Sequence, residues 1–150
     1  MNRREKEELL FGSILLLSNK LQIWGDKTLE SLSLKQWFLL MQIHSMEVEN
    51  PTVNEIADFV GTSRQNVRKL LDHLQEQGFI EIKASKQDRR ALEVSLSADT
   101  LEYLNENPDS GYTLIKLLFA DLNDTELDGT TVTIFKIMNR LRKLVEKKNK

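Results

Sequence analysis

The sequence predicts a mainly α-helical chain that carries one short β-hairpin. Apolar residues recur at helical spacing over most of the 150 residues, and only two prolines and six glycines interrupt them. Two runs, 79–84 and 92–96, instead alternate between apolar and polar side chains, which is typical of half-buried strands. With 40% hydrophobic and 29% charged residues, a chain of this length can bury a core of its own.

The first three helices are predicted from their apolar patterns and their start signals. Residues from about 5 to 28 are apolar on nearly every face, so we expect a partner subunit to cover this helix. Ser33 begins a second helix and Thr52 a third. Each is followed three residues later by Gln36 or Glu55, which completes a capping box.

A fourth helix and the hairpin follow directly. Gly61 ends the third helix, Ser63 caps the fourth, and Gly78 ends that one. Its apolar residues form a single stripe: Val67, Leu70, Leu71 and Leu74. A polar tip at 85–90 joins the two strands. Two short helices and then a basic hairpin are the order of a winged helix-turn-helix.

The rest of the chain is predicted to be helical, with one interruption. Ser97 caps a helix that breaks at 107–111, a second helix runs from Tyr112 through Leu122, and Asn123 with Glu126 caps the last one. The predicted fold class is therefore mainly α-helical with a small β-wing, a winged helix-turn-helix lobe at 31–97 that is flanked by N- and C-terminal helices at 1–30 and 98–150.

Charge is segregated along the chain, although its net value is only −2. Residues 63–90 hold seven basic and four acidic side chains, whereas 93–128 hold nine acids and one lysine. A local basic face matters more for DNA binding than the total charge. The acidic stretch favours a second hypothesis, a winged helix that binds a basic protein instead of DNA.

The outward face of the fourth helix carries the side chains that read DNA in a helix-turn-helix. Arginine offers paired donors to guanine, glutamine pairs with adenine, and a capping serine with the first-turn amides suits a phosphate. The candidate residues are Ser63, Arg64, Gln65, Arg68 and Lys69. The alternative is an ordinary solvated surface. The preceding capped helix and the following hairpin favour DNA.

The hairpin tip is the second candidate surface. Lys86, Arg89 and Arg90 are predicted to reach an adjacent minor groove, where narrow DNA concentrates negative potential. Asp88 lies among them, and we expect it to orient a neighbouring arginine through a charge-assisted pair. A solvated run of charges is the alternative.

These motifs resemble the MarR family. Asp88-Arg89-Arg90 followed by Val94-Ser95-Leu96-Ser97 is similar to the wing signature of that family, and Thr62 to Val67 with the exit at Gly78-Phe79-Ile80 is similar to its recognition helix. The long first helix and the closing helices extend the resemblance over essentially the whole chain. Two features depart from the pattern: the helix after the wing starts at Ala98-Asp99-Thr100 without a glycine, and 108–111 interrupts the fifth helix.

The resemblance implies an obligate homodimer in which 1–30 and 98–150 interleave as dimerisation helices and 31–97 is the DNA-binding lobe. The dimer is expected to bind double-stranded DNA at a pseudo-palindromic operator and to act as a repressor. It also implies a small aromatic effector. Residues that are candidates to line its pocket are Trp24, Trp37, Phe38 and Met41. Aromatic and methionine side chains at helical spacing are equally typical of a plain core.

Several function classes are excluded or unsupported. The absence of cysteine excludes disulfides, thiolate catalysis and cysteine-based zinc sites. His44 and His73 have few potential co-ligands, so we expect no metal, no cofactor and no enzyme activity. The apolar stretch 9–17 is too short for a membrane span and lacks a cleavage signal, so no membrane association and a cytoplasmic location are expected.

Overall fold

The computed structural model describes residues 1–107 and 110–148, and the chain divides into two compact units, Met1–Tyr103 and Leu104–Lys150. Its elements are α1 (Arg3–Thr28), α2 (Leu34–Ser45), α3 (Val53–Val60), α4 (Arg64–Glu76), β1 (Ile80–Ala84), β2 (Leu92–Leu96), α5 (Ala98–Glu106), α6 (Ser110–Leu118) and α7 (Asp124–Lys148). The predicted mainly helical chain with a single hairpin is confirmed. Within the described ranges, none of the helices combines the length and apolar character that crossing a bilayer needs.

The predicted capping boxes are present. Ser33 Oγ accepts from the Gln36 N–H at 3.2 Å, and Gln36 Oε1 accepts from the Ser33 N–H at 2.8 Å. Thr52 and Glu55 repeat the arrangement at 3.2 and 2.7 Å. α1 begins slightly earlier than predicted, because the Asn2 side chain caps it. Each box satisfies amides that a helix start leaves unpaired, so local chemistry sets these boundaries.

Two glycines end the helices that surround the turn. Gly61 and Gly78 have φ of 70° and 80°, a left-handed conformation that side chains other than glycine adopt at a cost. After Gly78, the Phe79 N–H donates to the Leu74 carbonyl at 2.9 Å. Phe79 therefore belongs to the helix end, and β1 begins one residue later than the strand predicted from 79.

The core of the first unit lies between α2, α3, α4 and the hairpin. Its buried apolar members are Leu39, Leu40, Ile43, Val53, Ile56, Ala57, Val67, Leu71, Leu74, Ile80 and Val94. The strands pair antiparallel, with Ile80 opposite Leu96 and Ala84 opposite Leu92. The Val94 N–H also donates to the Pro51 carbonyl at 2.9 Å, so the hairpin is fastened to the segment that starts α3.

The C-terminal part of α4 is tied to its surroundings by two glutamines. Gln75 Oε1 accepts from the Ile82 N–H at 3.0 Å, and Gln77 Nε2 donates to the Ser31 carbonyl at 3.1 Å. These bonds join α4 to β1 and to the α1–α2 connection. The N-terminal half of α4 is therefore presented from a fixed base.

The second unit departs from the prediction in the extent of α6. This helix ends at Leu118 and not at Leu122, because a turn closed by the Leu122 N–H and the Phe119 carbonyl (3.1 Å) follows it. Gly111, which was predicted to lie in the interruption, is part of α6. The rest of the predicted interruption includes residues 108 and 109, which lie outside the described residues. α7 has the predicted cap, with Asn123 Oδ1 accepting from the Glu126 N–H at 3.1 Å.

Candidate nucleic-acid interface

α4 separates a packed face from a polar face. Val67, Leu71 and Leu74 are completely buried, whereas the side chains at 63–66 are all exposed. The Ser63 hydroxyl oxygen accepts from the Asn66 N–H at 3.2 Å, which leaves its O–H proton available to an outside acceptor. The helix therefore offers its N-terminal half to a partner, as a recognition helix must.

Among the candidate residues of α4, Arg68 has different surroundings from the others. Arg64, Gln65 and Lys69 are exposed, and neither Arg64 nor Lys69 forms an ion pair with any residue that the structure describes. Arg68 is half-buried, and its Nε donates to Asp72 Oδ1 at 2.8 Å. Among the described residues, one cation of this surface is thus ion-paired while Arg64 and Lys69 are not.

The wing tip is an organised turn. Ser85 is buried, its N–H donates to the Ala91 carbonyl at 2.9 Å, and its Oγ accepts from the N–H groups of Gln87 and Asp88 at 3.1 and 3.3 Å. The hydrogen-bonded tip therefore extends to Ala91, one residue beyond the predicted 85–90. A tip closed in this way loses little further conformational freedom when it meets a partner.

Asp88 acts on the backbone of an arginine and not on its side chain. Its Oδ1 accepts from the Arg90 N–H at 2.9 Å, and no ion pair joins it to a side chain among the described residues. The expected charge-assisted pair with a guanidinium is therefore absent. Lys86, Arg89 and Arg90 are all exposed, so the three cations of the tip face solvent.

A polar cleft of about 190 Å³ connects α4 with the wing. Arg64 from the start of α4 lines it together with Arg90 and Asp88 from the wing tip. Asn54, in the first turn of α3, lines the same cleft and was not predicted. The capping box placed Asn54 at an exposed helix start, but its nearness to the wing depends on the Thr52–Glu93 bridge, which joins distant parts of the chain.

The candidate residues do not all converge on that cleft. Ser63, Gln65, Arg68, Lys86 and Arg89 lie outside its lining. Lys69 lines a different groove, described below. The structure therefore brings together one arginine from each predicted surface.

The carboxylate of Glu55 is occupied by its helix cap. Hydrogen bonds from the Thr52 backbone N–H and hydroxyl stabilise its charged form, and they lower the pKa of Glu55 below its ordinary value of 4.5. Its negative charge lies at the positive end of the α3 dipole, which favours the same form. The positive end of the α3 dipole is thus balanced by the carboxylate of Glu55, which belongs to the same helix.

A second concavity, an apolar groove of about 440 Å³, lies between α2 and α4. Phe38, Leu39, Val60, Val67 and Leu70 give it apolar walls, with Lys35, Thr62, Asn66 and Lys69 as the polar part of its lining. Of the predicted effector residues only Phe38 lines it. Trp24, Trp37 and Met41 are half-buried and do not line this groove, and their place in an effector pocket stays a prediction.

The two histidines lie on α2 and α4, apart from each other in the chain. His44 is exposed, and His73 Nδ1 lies 3.6 Å from Glu76 Oε2 at the surface of α4. Within 1–107 and 110–148, no three histidine or carboxylate side chains cluster in a way that would hold a metal ion. The donor sets that zinc sites require are therefore missing from the described part of the chain.

Comparison with known proteins supports the same fold and family. Residues 31–91 match the model of the MarR family. The chain is 27% identical over 138 residues to the transcriptional repressor MprA of Escherichia coli K12, which covers 91% of this chain and 78% of that protein.

Two solved structures share the fold at low identity. The MepR–DNA complex of S. aureus superimposes with a TM-score of 0.75 at 18% identity and covers 85% of this chain and 94% of MepR. The organohalide-sensing regulator RdhR-CbdbA1625 in its 2,4-dichlorophenol-bound form has a TM-score of 0.78 at 16% identity. The match covers 93% of this chain and 85% of that regulator. With α3, α4 and the hairpin forming a winged helix-turn-helix, the lobe at 31–91 is similar to the MarR family of transcriptional regulators, and the solved structures share its fold.

Proposed function

We propose that this regulator binds a pseudo-palindromic DNA operator as a homodimer, with α4 in the major groove and the wing in the adjacent minor groove. The observation that carries the proposal is the cleft in which Arg64 of α4 and Arg90 of the wing lie together. A phosphate backbone separates neighbouring grooves, and a cleft lined by two arginines suits that backbone. The structurally similar MepR was solved in complex with DNA, which supports DNA binding by this chain.

The side chains divide between reading and positioning. Gln65 and Arg68 carry the donors that distinguish base edges, whereas Ser63, Arg64 and Lys69 suit phosphates. On the wing, Lys86, Arg89 and Arg90 enter or border the minor groove, and Asp88 holds the backbone on which Arg90 is mounted.

A homodimer is supported by the apolar surface of α1 and α7. On α1 the exposed side chains include Leu9, Leu10, Phe11, Ile14, Leu15, Leu16, Leu17 and Ile23. On α7 they include Val132, Phe135, Met138, Leu141 and Val145. Apolar surface of this extent is characteristic of an obligate interface. A two-fold dimer requires an inverted repeat with half-sites about 10 base pairs apart, or a multiple of that.

The test is a binding selection against a random duplex library, followed by a salt titration on the winning sequence. We expect an enriched inverted repeat and a salt slope of about −0.9 per neutralised phosphate.

Arg64→Ala and Arg90→Ala should each weaken specific binding by about tenfold to a hundredfold while the protein stays dimeric. Arg3→Ala is the matched control, since Arg3 is an exposed arginine of α1 whose ion pair is with Glu7 on the same helix. Full operator affinity in both cleft variants would contradict the assigned face. Binding that is insensitive to salt and to loss of the wing would favour the protein-interaction hypothesis instead.

An operator-bound dimer at a promoter obstructs transcription, so we propose that the protein represses the gene that follows. We also propose the cytoplasm as its site of action. A reporter under the selected operator should be repressed by the wild-type protein and not by Arg64→Ala. Reporter activation by the wild-type protein would contradict the proposed direction. We assign the chain no catalytic role.

We further propose a small aromatic effector, supported by the 2,4-dichlorophenol bound to RdhR-CbdbA1625. Trp24 and Trp37 are the two tryptophans of the chain, so tryptophan emission reports directly on the predicted pocket. Titration with 2,4-dichlorophenol should change that emission and weaken operator binding. If Phe38→Ala removed the effect on DNA binding while the emission stayed constant throughout, the ligand would occupy the α2–α4 groove and not the tryptophan pocket.

A further inference from the structure

The ion pair between Arg68 and Asp72 is the feature of the DNA-reading face that the function proposed above does not yet use. Arg68 Nε lies 2.8 Å from Asp72 Oδ1, one helical turn further along α4. The side chains of the two residues are 40% and 46% exposed. The arginines of the comparable pairs on α1, Arg3 and Arg4, are 91% and 86% exposed. Arg68 is therefore held against the helix far more closely than those arginines.

The geometry of the pair leaves part of the guanidinium unused. A guanidinium has one Nε donor and four donors on its two terminal nitrogens. Because Asp72 accepts from Nε, the terminal Nη groups remain available to a partner beyond the helix surface. A planar group fixed at one edge presents the opposite edge in a defined direction, which is what a bidentate contact to guanine requires.

The charge of Asp72 has a second consequence. Residues 64, 68 and 72 follow one another at spacings of four, so Arg64, Arg68 and Asp72 form one row along α4. Asp72 is the single acid among the residues of α4 that precede Glu76. Its carboxylate cancels the charge of Arg68 toward a phosphate, whereas it does not remove the Nη donors that a base edge accepts. Specificity is a difference between affinities, and this arrangement lowers the affinity for the wrong partner.

We propose that Asp72 is a specificity-determining residue, which orients Arg68 toward a base edge and prevents it from binding the phosphates of any sequence equally well. This inference rests on the proposed function, since it needs α4 to read DNA. Arg64 and Lys69, which have no ion pair among the described residues, supply the attraction that is independent of sequence. Arg68 supplies discrimination.

The test compares Asp72→Ala and Asp72→Asn with Glu76→Gln, using the selected operator and a scrambled duplex over a range of salt concentrations. Glu76→Gln is the matched control because it also removes one negative charge from α4 but does not touch Arg68. We expect Asp72→Ala to raise affinity for the scrambled duplex, to steepen the salt slope by about 0.9, and to lower the ratio of specific to non-specific affinity about tenfold. Asp72→Asn retains an acceptor for Nε without the charge, so its ratio should fall less. Glu76→Gln should raise both affinities together.

A double-mutant cycle separates orientation from simple repulsion. In an Arg68→Ala background, Asp72→Ala should leave the affinity ratio unchanged, because there is no guanidinium left to orient. The same drop in ratio with and without Arg68, or a rise of both affinities as in Glu76→Gln, would overturn the proposal. If the wild-type protein itself failed to distinguish operator from scrambled duplex, the function proposed for α4 would be wrong, and this inference with it.

Discussion

Large apolar side chains are buried in the core of the lobe but exposed on the two long terminal helices, α1 and α7. Leu71, Leu74 and Val94 are completely buried by α2, α3 and the hairpin. Leu17 on α1 is 53% exposed and Phe135 on α7 is 58% exposed. The apolar core of the lobe is therefore closed, since other residues of the same chain bury it. The apolar faces of α1 and α7 are open, since the chain leaves them exposed to solvent. Four experiments test this contrast, beginning with the largest expected effect.

Truncating the closed core should be costly at any protein concentration. Leu71→Ala removes a fully buried side chain, and such changes lower the free energy of unfolding by about 2–5 kcal/mol. Chemical denaturation followed by circular dichroism measures the loss. Leu17→Ala is the same substitution on the open face, and its effect should grow with protein concentration if, as we propose, a second copy supplies the cover. Equal and concentration-independent losses would contradict the distinction.

Two glycines of α1 should respond oppositely to a methyl group. A Cβ on Gly25 would lie 2.7 to 2.9 Å from the Leu34 side chain, whereas a Cβ on Gly12 would meet nothing within 4 Å. Gly25→Ala should lower the melting temperature, since overpacking costs about 1–3 kcal/mol. Gly12→Ala should raise it, because alanine is the better helix former by about 1 kcal/mol. Destabilisation by Gly12→Ala would show that a second copy approaches α1 closely at this point.

A charge on the open face of α7 should break the dimer without unfolding the lobe. Phe135→Glu places a carboxylate where we propose an apolar interface, and the dissociation constant should rise tenfold or more, about 1.4 kcal/mol. Sedimentation equilibrium measures the shift. Lys136→Glu changes the charge at the neighbouring exposed position and serves as the control. An unchanged monomer–dimer equilibrium in Phe135→Glu would remove α7 from the interface.

The smallest expected effect is on the pH dependence of the stability of the lobe, through the helix cap formed by Glu55. The pKa of Glu55 is lowered in the folded protein by its bonds to Thr52, so the charged carboxylate contributes stability above its ordinary pKa of 4.5. That contribution is lost as the pH falls from 4.5 through the lower folded-state value. Glu55→Gln cannot titrate, so its free energy of unfolding should fall less between pH 5 and pH 3. The difference should be no more than about 1 kcal/mol, as for an exposed helix cap. Parallel pH profiles for the two proteins would show that the cap carries no charge-dependent stability.

Helix boundaries were predictable wherever a local signal sets them. Ser33 with Gln36, Thr52 with Glu55, and Gly61 act within a few residues of themselves, and all behave as predicted. The end of α6 was not predictable in this way, because the stretch Phe119 to Leu122 is apolar enough to continue a helix. A turn replaces the last helical residues there, and no glycine or proline announces it.

The candidate DNA interface also has features that the sequence predicts and features that only the tertiary structure shows. The residue types and the polar face of α4 follow from a 3.6-residue period, so Arg64, Gln65 and Lys69 could be named from the sequence. The meeting of Arg64 with Arg90 and the place of Asn54 could not, because both depend on how the hairpin packs against the start of α3. The contact of Asp88 with the Arg90 N–H is local, but residue types alone do not distinguish it from an ion pair with a guanidinium. The Arg68–Asp72 pair was visible as a spacing of four, but only its half-buried geometry distinguishes it from the exposed pairs of α1.

The sequence by itself determined the order of elements, the capped helix starts, the polar face of α4 and the MarR resemblance, since these depend on residues close together in the chain. The tertiary structure decided which cations share a cleft, which groove Phe38 lines and which apolar faces stay open. Those properties arise from contacts between segments far apart in sequence, and periodicity along one segment carries no information about its neighbour in space.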